Sequence, residues 1–266
     1  MRPFRFGVVA TPEGGSWAAT ARRVEELGYS SLLMPDGIHL LAPFPTLATA
    51  AAVTTTLRVG TFVLASPLRT PRAAAWEAHS LAVLSGGRFD LGIGTGHGGV
   101  PQAAAQLGMP YGTGAERRRQ VADTVAHVRA LDADIPVLIA ASGPKMLALA
   151  AQLADVVTLA ADPLATREQV AGMAATLREQ AGERDIELAM NLFVIGDEVP
   201  EWTRRFIGAD AATLVAADSL VMLRGSTTEM ADELQRRRDT LGTSSITVNG
   251  AFLEQFAPVV ERLAGR

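Results

Sequence analysis

The sequence predicts a single (β/α)8 barrel, and three observations carry that prediction. Short apolar runs alternate with amphipathic stretches along the whole chain, the pattern of repeated strand–helix units. Eight such runs fall within 266 residues, close to the length that these barrels use as one unit. Several runs are almost continuously apolar, as in Val137-Leu138-Ile139-Ala140, which suits parallel strands covered on both faces. A doubly wound open sheet would use fewer strands or more residues. No linker, long repeat or low-complexity tract interrupts the chain, so residues 1–266 read as one domain.

The expected strands are Arg5–Ala10, Ser31–Met34, Arg58–Leu64, Arg88–Gly94, Ile135–Ala141, Asp155–Ala160, Glu187–Ile195 and Ser244–Val248. The first helix, Ser16–Leu27, stops at Gly28, a C-terminal glycine. Thr70-Pro71 opens a helix with proline in its first turn, and Gly86-Gly87 ends it. Gly114–Leu131 places Val121, Val125, Val128 and Leu131 on one face. Pro144–Leu153 follows the fifth strand. Thr166 with Gln169, and Ser226 with Glu229, form capping boxes for helices reaching Gln180 and Leu241. Leu253–Leu263 is the last helix.

Composition narrows the function. A net charge of −4 argues against a nucleic-acid partner. The absence of cysteine removes disulfides, a thiol nucleophile, iron–sulfur clusters and thiolate zinc sites. No apolar run is long enough to span a membrane, and the N-terminus enters a strand at once, so a cytoplasmic protein is expected. The one lysine, Lys145, stands at a helix start, a position suited to a solvated residue rather than a Schiff base. Neither metal-binding histidine spacing nor a G-x-S-x-G elbow is present.

Active sites of such barrels gather at the C-terminal ends of the strands. The first strand leads into Thr11, Pro12, Glu13, Gly14 and Gly15, and the second into Asp36, Gly37, Ile38 and His39. The fourth ends in five closely spaced glycines, Gly92, Gly94, Gly96, Gly98 and Gly99, around Thr95 and His97. Bare backbone of this kind suits either a tight turn or the close approach of a flat ring or a phosphate. Ser142-Gly143-Pro144 opens a helix and is either an ordinary cap or a phosphate seat. Of the four histidines, His39 and His97 fall on rim loops as candidate proton donors, while His79 and His127 lie within helices. Asp36 either bonds a cofactor or caps the next turn, and Asp90 calls for Arg58 or Arg88 as an ion-pair partner. The run Arg117-Arg118-Arg119 reads as a solvated helix face, and Ile38–Phe44 as either a hydrophobic wall of the site or helix packing.

The order and spacing of Arg5-Phe6-Gly7-Val8, Glu25-Glu26-Leu27-Gly28-Tyr29, Pro35-Asp36, Leu57-Arg58-Val59-Gly60-Thr61, Leu84-Ser85-Gly86-Gly87-Arg88-Phe89, Gly92-Ile93-Gly94-Thr95-Gly96 and Ala150-Ala151-Gln152-Leu153-Ala154-Asp155 resemble the bacterial luciferase-like oxidoreductases. Within that superfamily the chain is similar to the branch using the deazaflavin coenzyme F420. The resemblance implies a (β/α)8 barrel, commonly dimeric, with an isoalloxazine-like ring at the mouth. It implies a non-proline cis peptide at Phe62–Val63 behind the ring. It also implies cofactor contacts from Asp36, Phe62, Val63, Leu64, Gly94, Thr95, Gly96, Ala141, Ser142 and Gly143. Two departures stand out. Asp36 is followed by Gly37 where relatives often have histidine, and only Asp132-Ala133-Asp134 separates the fourth helix from the fifth strand, where relatives insert a long segment. The expected activity is hydride transfer between the deazaflavin C5 and a small organic substrate, with His97 or His39 handling the proton. An FMN-dependent monooxygenase and a non-catalytic flavin binder are the alternatives.

Overall fold

A computed structural model describes residues 1–12 and 16–266; Glu13, Gly14 and Gly15, named above after the first strand, lie outside the described residues. The chain runs β1 (Arg5–Val9), α1 (Trp17–Glu26), β2 (Ser31–Met34), α2 (Pro43–Ala52), β3 (Arg58–Thr61), β4 (Leu64–Ala65) and α3 (Pro71–Leu84). It continues with β5 (Phe89–Gly94), α4 (Val100–Gln106), α5 (Gly114–Leu131), β6 (Val137–Ala141), α6 (Pro144–Leu153), β7 (Val156–Leu159) and α7 (Arg167–Ala181). The last part is β8 (Glu187–Leu192), β9 (Val194–Ile195), α8 (Glu201–Ile207), α9 (Ala211–Ala216), β10 (Met222–Leu223), α10 (Thr227–Leu241), β11 (Thr243–Asn249) and α11 (Leu253–Leu263).

Eight of these strands close a parallel barrel in the order β1-β2-β3-β5-β6-β7-β8-β11, with β11 returning to β1 through pairs such as Phe6 with Ile246. β3 gives way to the short β4 at Phe62–Val63, and β4 stays paired to β5. All eight expected strands are present. The helix boundaries at α5, α6 and α11 fall where the apolar spacing places them. Both expected capping boxes form, Thr166 with Gln169 and Ser226 with Glu229. A third, Thr113 with Glu116, starts α5.

The two ends of the barrel differ in chemistry. At the N-terminal end, ion pairs tie separate elements of the barrel together. Arg5 pairs with buried Glu187, which also accepts from Ser244 Oγ at 2.9 Å. Arg58 grips Asp90 at 2.5 Å, and Arg129 pairs with Asp155. Arg58 is thus the partner that Asp90 required. Arg88 instead donates to the carbonyls of Leu57 and Ala51.

At the C-terminal end, small residues let strands approach closely. A methyl group on Gly92 would lie 2.0 Å from the Thr61 carbonyl oxygen, so only glycine fits there. Thr61 Oγ1 donates to Gly92 O at 2.6 Å and accepts from Gly92 N at 3.0 Å, fixing β3 to β5 just before the break.

Beyond β8 the chain leaves the barrel. β9 pairs with β10, and α8 and α9 lie between them on a separate apolar cluster that includes Val194, Ala209, Leu214 and Met222. The sequence signals mark no element between Ile195 and Ser226, because these helices have only 7 and 6 residues. α2 and α4 likewise went unmarked. Residues 38–44 resolve as helix packing. Phe44 is buried against Phe89, with ring centroids 5.9 Å apart, and Ile38 and Leu41 point to solvent. Arg117 departs from the solvated face expected of it, stacking 4.1 Å over the Tyr111 ring and donating to Gly112 O.

Candidate functional site

A cavity of about 500 Å³ opens at the C-terminal mouth of the barrel. That volume falls in the range of small-molecule and cofactor sites. One wall is mostly backbone and small side chains: Phe62, Val63, Gly94, Thr95, Gly96 and Ser142. The Phe62–Val63 peptide is cis. Gly96 turns the chain at φ +86°, which a side chain would resist. The opposite wall is mostly apolar, with Thr158, Asp162 and Asn191 among its residues, and comes from the ends of β7 and β8 and the excursion beyond β9. Among the described lining residues none is Arg or Lys, and the two carboxylates, Asp36 and Asp162, are both engaged. Asp162 accepts from Leu164 N at 2.8 Å within its turn.

Asp36 does more than border the cavity. Its Oδ2 accepts from Ala65 N at 3.0 Å and from Arg69 Nη1 at 2.6 Å, and Oδ1 accepts from Arg69 Nη2 at 3.2 Å. Arg69 is held in turn by Glu77 at 3.4 Å and lies over the Phe44 ring. Oδ2 therefore pins β4, the segment that follows the Phe62–Val63 wall, and both oxygens hold Arg69 just beyond it.

The two histidines part company. His97 borders the cavity, and its Nδ1 accepts from Gly99 N at 3.4 Å. A neutral imidazole that accepts at Nδ1 carries its proton on Nε2 and can donate it there. His39 is exposed and does not line the cavity. A turn closed by Leu40 N donating to Gly37 O folds its ring back over Gly37, whose missing methyl would lie 2.7 Å from Cε1.

Other expected contacts divide by burial. Leu64 and Ala141 are fully buried and contribute no cavity surface. Their side chains point into the packed layers because neighbours along a strand face opposite ways. Gly143 is the N-cap of α6, with Pro144 next, and it does not line the cavity. α6 therefore starts without a side-chain cap, and Ser142, just before it, borders the cavity. Of the five clustered glycines, Gly94 and Gly96 border the cavity, Gly92 serves strand packing, and Gly98 and Gly99 are exposed.

Several cavity residues lie outside the sequence-based set: Thr158 in β7, Ala160 and Ala161 just after it, and Met190, Asn191 and Phe193 at the end of β8. The strand-end rule reaches all of them, since β7 and β8 were both marked. Phe206, Leu220 and Val221 carry no such signal, because they belong to the unmarked excursion. The apolar wall is braced from behind. Arg237 on α10 is only 2% exposed, donating to Leu220 O at 2.7 Å and Met222 O at 3.1 Å, with Met190 Sδ at 3.5 Å. Burial pulls its guanidinium below the ordinary arginine value, opposed by Glu233 at 2.7 Å. Burial alone would raise the Glu233 carboxyl, but Arg237 and Arg167 outweigh it and hold that carboxyl below the usual range.

The family model for luciferase-like monooxygenases matches residues 5–242. The chain belongs to that family. Among its relatives, an F420-dependent glucose-6-phosphate dehydrogenase of Beutenbergia cavernae is 30% identical over 164 residues, covering 49% of this chain and 48% of that one. A 4-hydroxyprotoasukamycin monooxygenase of Streptomyces nodosus subsp. asukaensis is 34% identical over 125 residues, covering 44% of this chain and 32% of the other. The matches thus span about half or less of these relatives' lengths. The solved coenzyme F420-dependent tetrahydromethanopterin reductase of Methanopyrus kandleri superposes with a TM-score of 0.76 over 98% of both chains at 16% identity, a likeness of fold. Relatives in this luciferase-like family thus include both F420-dependent enzymes and monooxygenases. Among the described residues, no helix is long and apolar enough to cross a membrane.

Proposed function

We propose that this luciferase-like chain is an F420-dependent oxidoreductase acting on a small organic substrate. The cavity fits a planar heterocycle. Its glycine-lined wall is flat backbone, and a methyl group on Gly94 would intrude to 3.1 Å from Val63 Cγ2. Phe62, Val63, Gly94, Thr95 and Gly96 would hold the ring, and the uncapped start of α6 beside Ser142 would hold a phosphate through backbone N–H groups and the helix dipole. When bound, the deazaflavin supplies hydride chemistry at C5. The protein orients the substrate, excludes water and moves a proton at Nε2 of His97. Asp36 acts on the wall rather than on the ring. The observation that carries this reading is the bare-backbone wall of the cavity at the barrel mouth.

One observation favours FMN as a second reading. Among the described residues no Arg or Lys lines the cavity, and the single phosphate of FMN asks less of one helix terminus than the acidic tail of a deazaflavin does. Quenching titrations with F420 and with FMN separate the two. Micromolar binding of F420, with turnover that persists without oxygen, is expected. Turnover that stops anaerobically assigns an FMN monooxygenase, and binding without turnover on any substrate makes the chain a carrier. Binding of neither coenzyme overturns both redox readings.

We also propose that a second copy covers the face formed by α2 and α3. α2 carries no charged residue, and α3 exposes Trp76 (70%), Val83 and Leu84. Exposed large apolar side chains beside an uncharged helix favour an interface. Sedimentation velocity should find a dimer that Trp76→Glu converts to monomer. A monomeric parent protein rejects the proposal.

A further inference from the structure

We infer that the cavity takes an uncharged, apolar substrate, and that Phe206 is a specificity-determining residue for it. This rests on reading the cavity as the reaction site. Its two walls have different chemistry. Opposite the glycine-lined wall stand Met190, Phe193, Phe206, Leu220 and Val221, with Val170 beside them. Phe193 and Phe206 pack with ring centroids 5.5 Å apart at 37°. Phe206 borders the cavity yet is 64% exposed, so a molecule seated there covers aromatic surface that otherwise faces water. α8 presents this ring over the mouth from outside the barrel.

Charge points the same way. With the α6 start taken by the coenzyme phosphate, a phosphorylated or carboxylated substrate desolvated against the other wall needs cationic partners there. None of the described lining residues is cationic, and Asp162 adds a negative charge. Arg237, buried behind the wall, directs Nε to Glu233, Nη1 to Leu220 O and Nη2 to Met222 O. It shapes the wall from behind and does not line the cavity. The sugar phosphate in the name of the Beutenbergia relative is therefore a poor match for this cavity.

The test uses N-phenylnaphthylamine, a neutral dye that brightens in apolar surroundings, with decanol and glucose 6-phosphate as competitors. The intact protein should bind the dye, release it to decanol and keep it against glucose 6-phosphate. Phe206→Ala should weaken dye binding about tenfold, the loss expected for one aromatic contact. Phe206→Arg should weaken it at least as much. Because Phe206 is mostly exposed, both variants should melt close to the parent temperature. Coenzyme titrations should be unaffected by either substitution. Unchanged dye affinity in both variants overturns the inference, and so does displacement by glucose 6-phosphate as effective as that by decanol. Coenzyme affinity that falls in step with dye affinity assigns Phe206 to the coenzyme wall and overturns it too. If neither coenzyme binds the parent protein while the dye results hold, the redox reading fails and the apolar-ligand inference stands.

Discussion

Replacing Asp36 with alanine tests how the cavity wall is held. In the intact protein the carboxylate accepts from Ala65 N and pairs with Arg69, and the side chains of both Asp36 and Arg69 are largely buried, at 3% and 17% exposure. Removing it orphans the Ala65 N–H, which costs about 1–3 kcal/mol in a buried setting. It also leaves Arg69 short of a partner. Breaking one side of a buried pair costs about 3–5 kcal/mol, but Arg69 keeps Glu77 at 3.4 Å and the Phe44 ring, which holds the loss to the low end. The two losses share one carboxylate and overlap, so the total is about 4 kcal/mol. With an unfolding entropy of about 2.1 cal/mol/K per residue, a chain of 266 residues loses roughly 7 °C of Tm.

Circular dichroism melts of the coenzyme-free protein near neutral pH measure this directly. The informative control is Asp36→Ala combined with Arg69→Met. With both charges gone only the orphaned amide remains, about 2 kcal/mol or roughly 4 °C. The double variant should therefore melt above the single one, an ordering that independent losses cannot give. A single variant within about 2 °C of the parent, or a double variant melting below it, refutes the proposed brace.

Three further outcomes are expected. Gly94→Ala sets a methyl group 3.1 Å from Val63 Cγ2 on the cavity wall, so coenzyme affinity by fluorescence quenching should fall about tenfold, with little change in Tm. His97→Ala should lower turnover by about 10²–10⁴ while leaving coenzyme affinity nearly intact, and unchanged turnover removes the proton-transfer role. Glu233 has a carboxyl lowered in the fold, so its contribution to stability is complete above the unfolded value of about 4.3 and is lost as pH falls through the folded one. Melts taken from pH 6 down to about pH 3 should therefore drop less steeply in Glu233→Gln than in the parent, and parallel slopes would show that the Arg167–Glu233–Arg237 network is not titrating in that window.

The barrel was legible in the sequence because its strands are buried on both faces and its long helices carry caps and a 3.6-residue period. Both signals are local and strong at Val137–Ala140 and at Thr166–Gln169. The same logic explains what escaped. α8 and α9 are too short to show a period, and they rest on a small cluster that forms only after β9 and β10 meet. No spacing along the chain records that meeting.

The candidate site divides along the same line. Residues at strand ends, such as Gly94, Thr95 and Met190, are reached by knowing the fold, because the barrel delivers every strand end to one mouth. Which of them face the cavity is a matter of strand alternation and turn geometry, and of the expected contacts Leu64, Ala141, Gly143 and His39 do not border it. The role of Asp36 was open in the sequence for a deeper reason. A carboxylate at a strand end is equally suited to a ligand or to a neighbour, and only a partner brought in from elsewhere decides between them. Arg69, 33 residues further along the chain, is that partner. With both Asp36 oxygens committed, the cavity presents mostly backbone and small side chains on one side and mostly apolar side chains, with Thr158, Asn191 and Asp162 among them, on the other. On the proposed reading, such a cavity binds by shape and desolvation, leaves the reactive chemistry to its coenzyme, and offers His97 at its edge as the proton-transfer group.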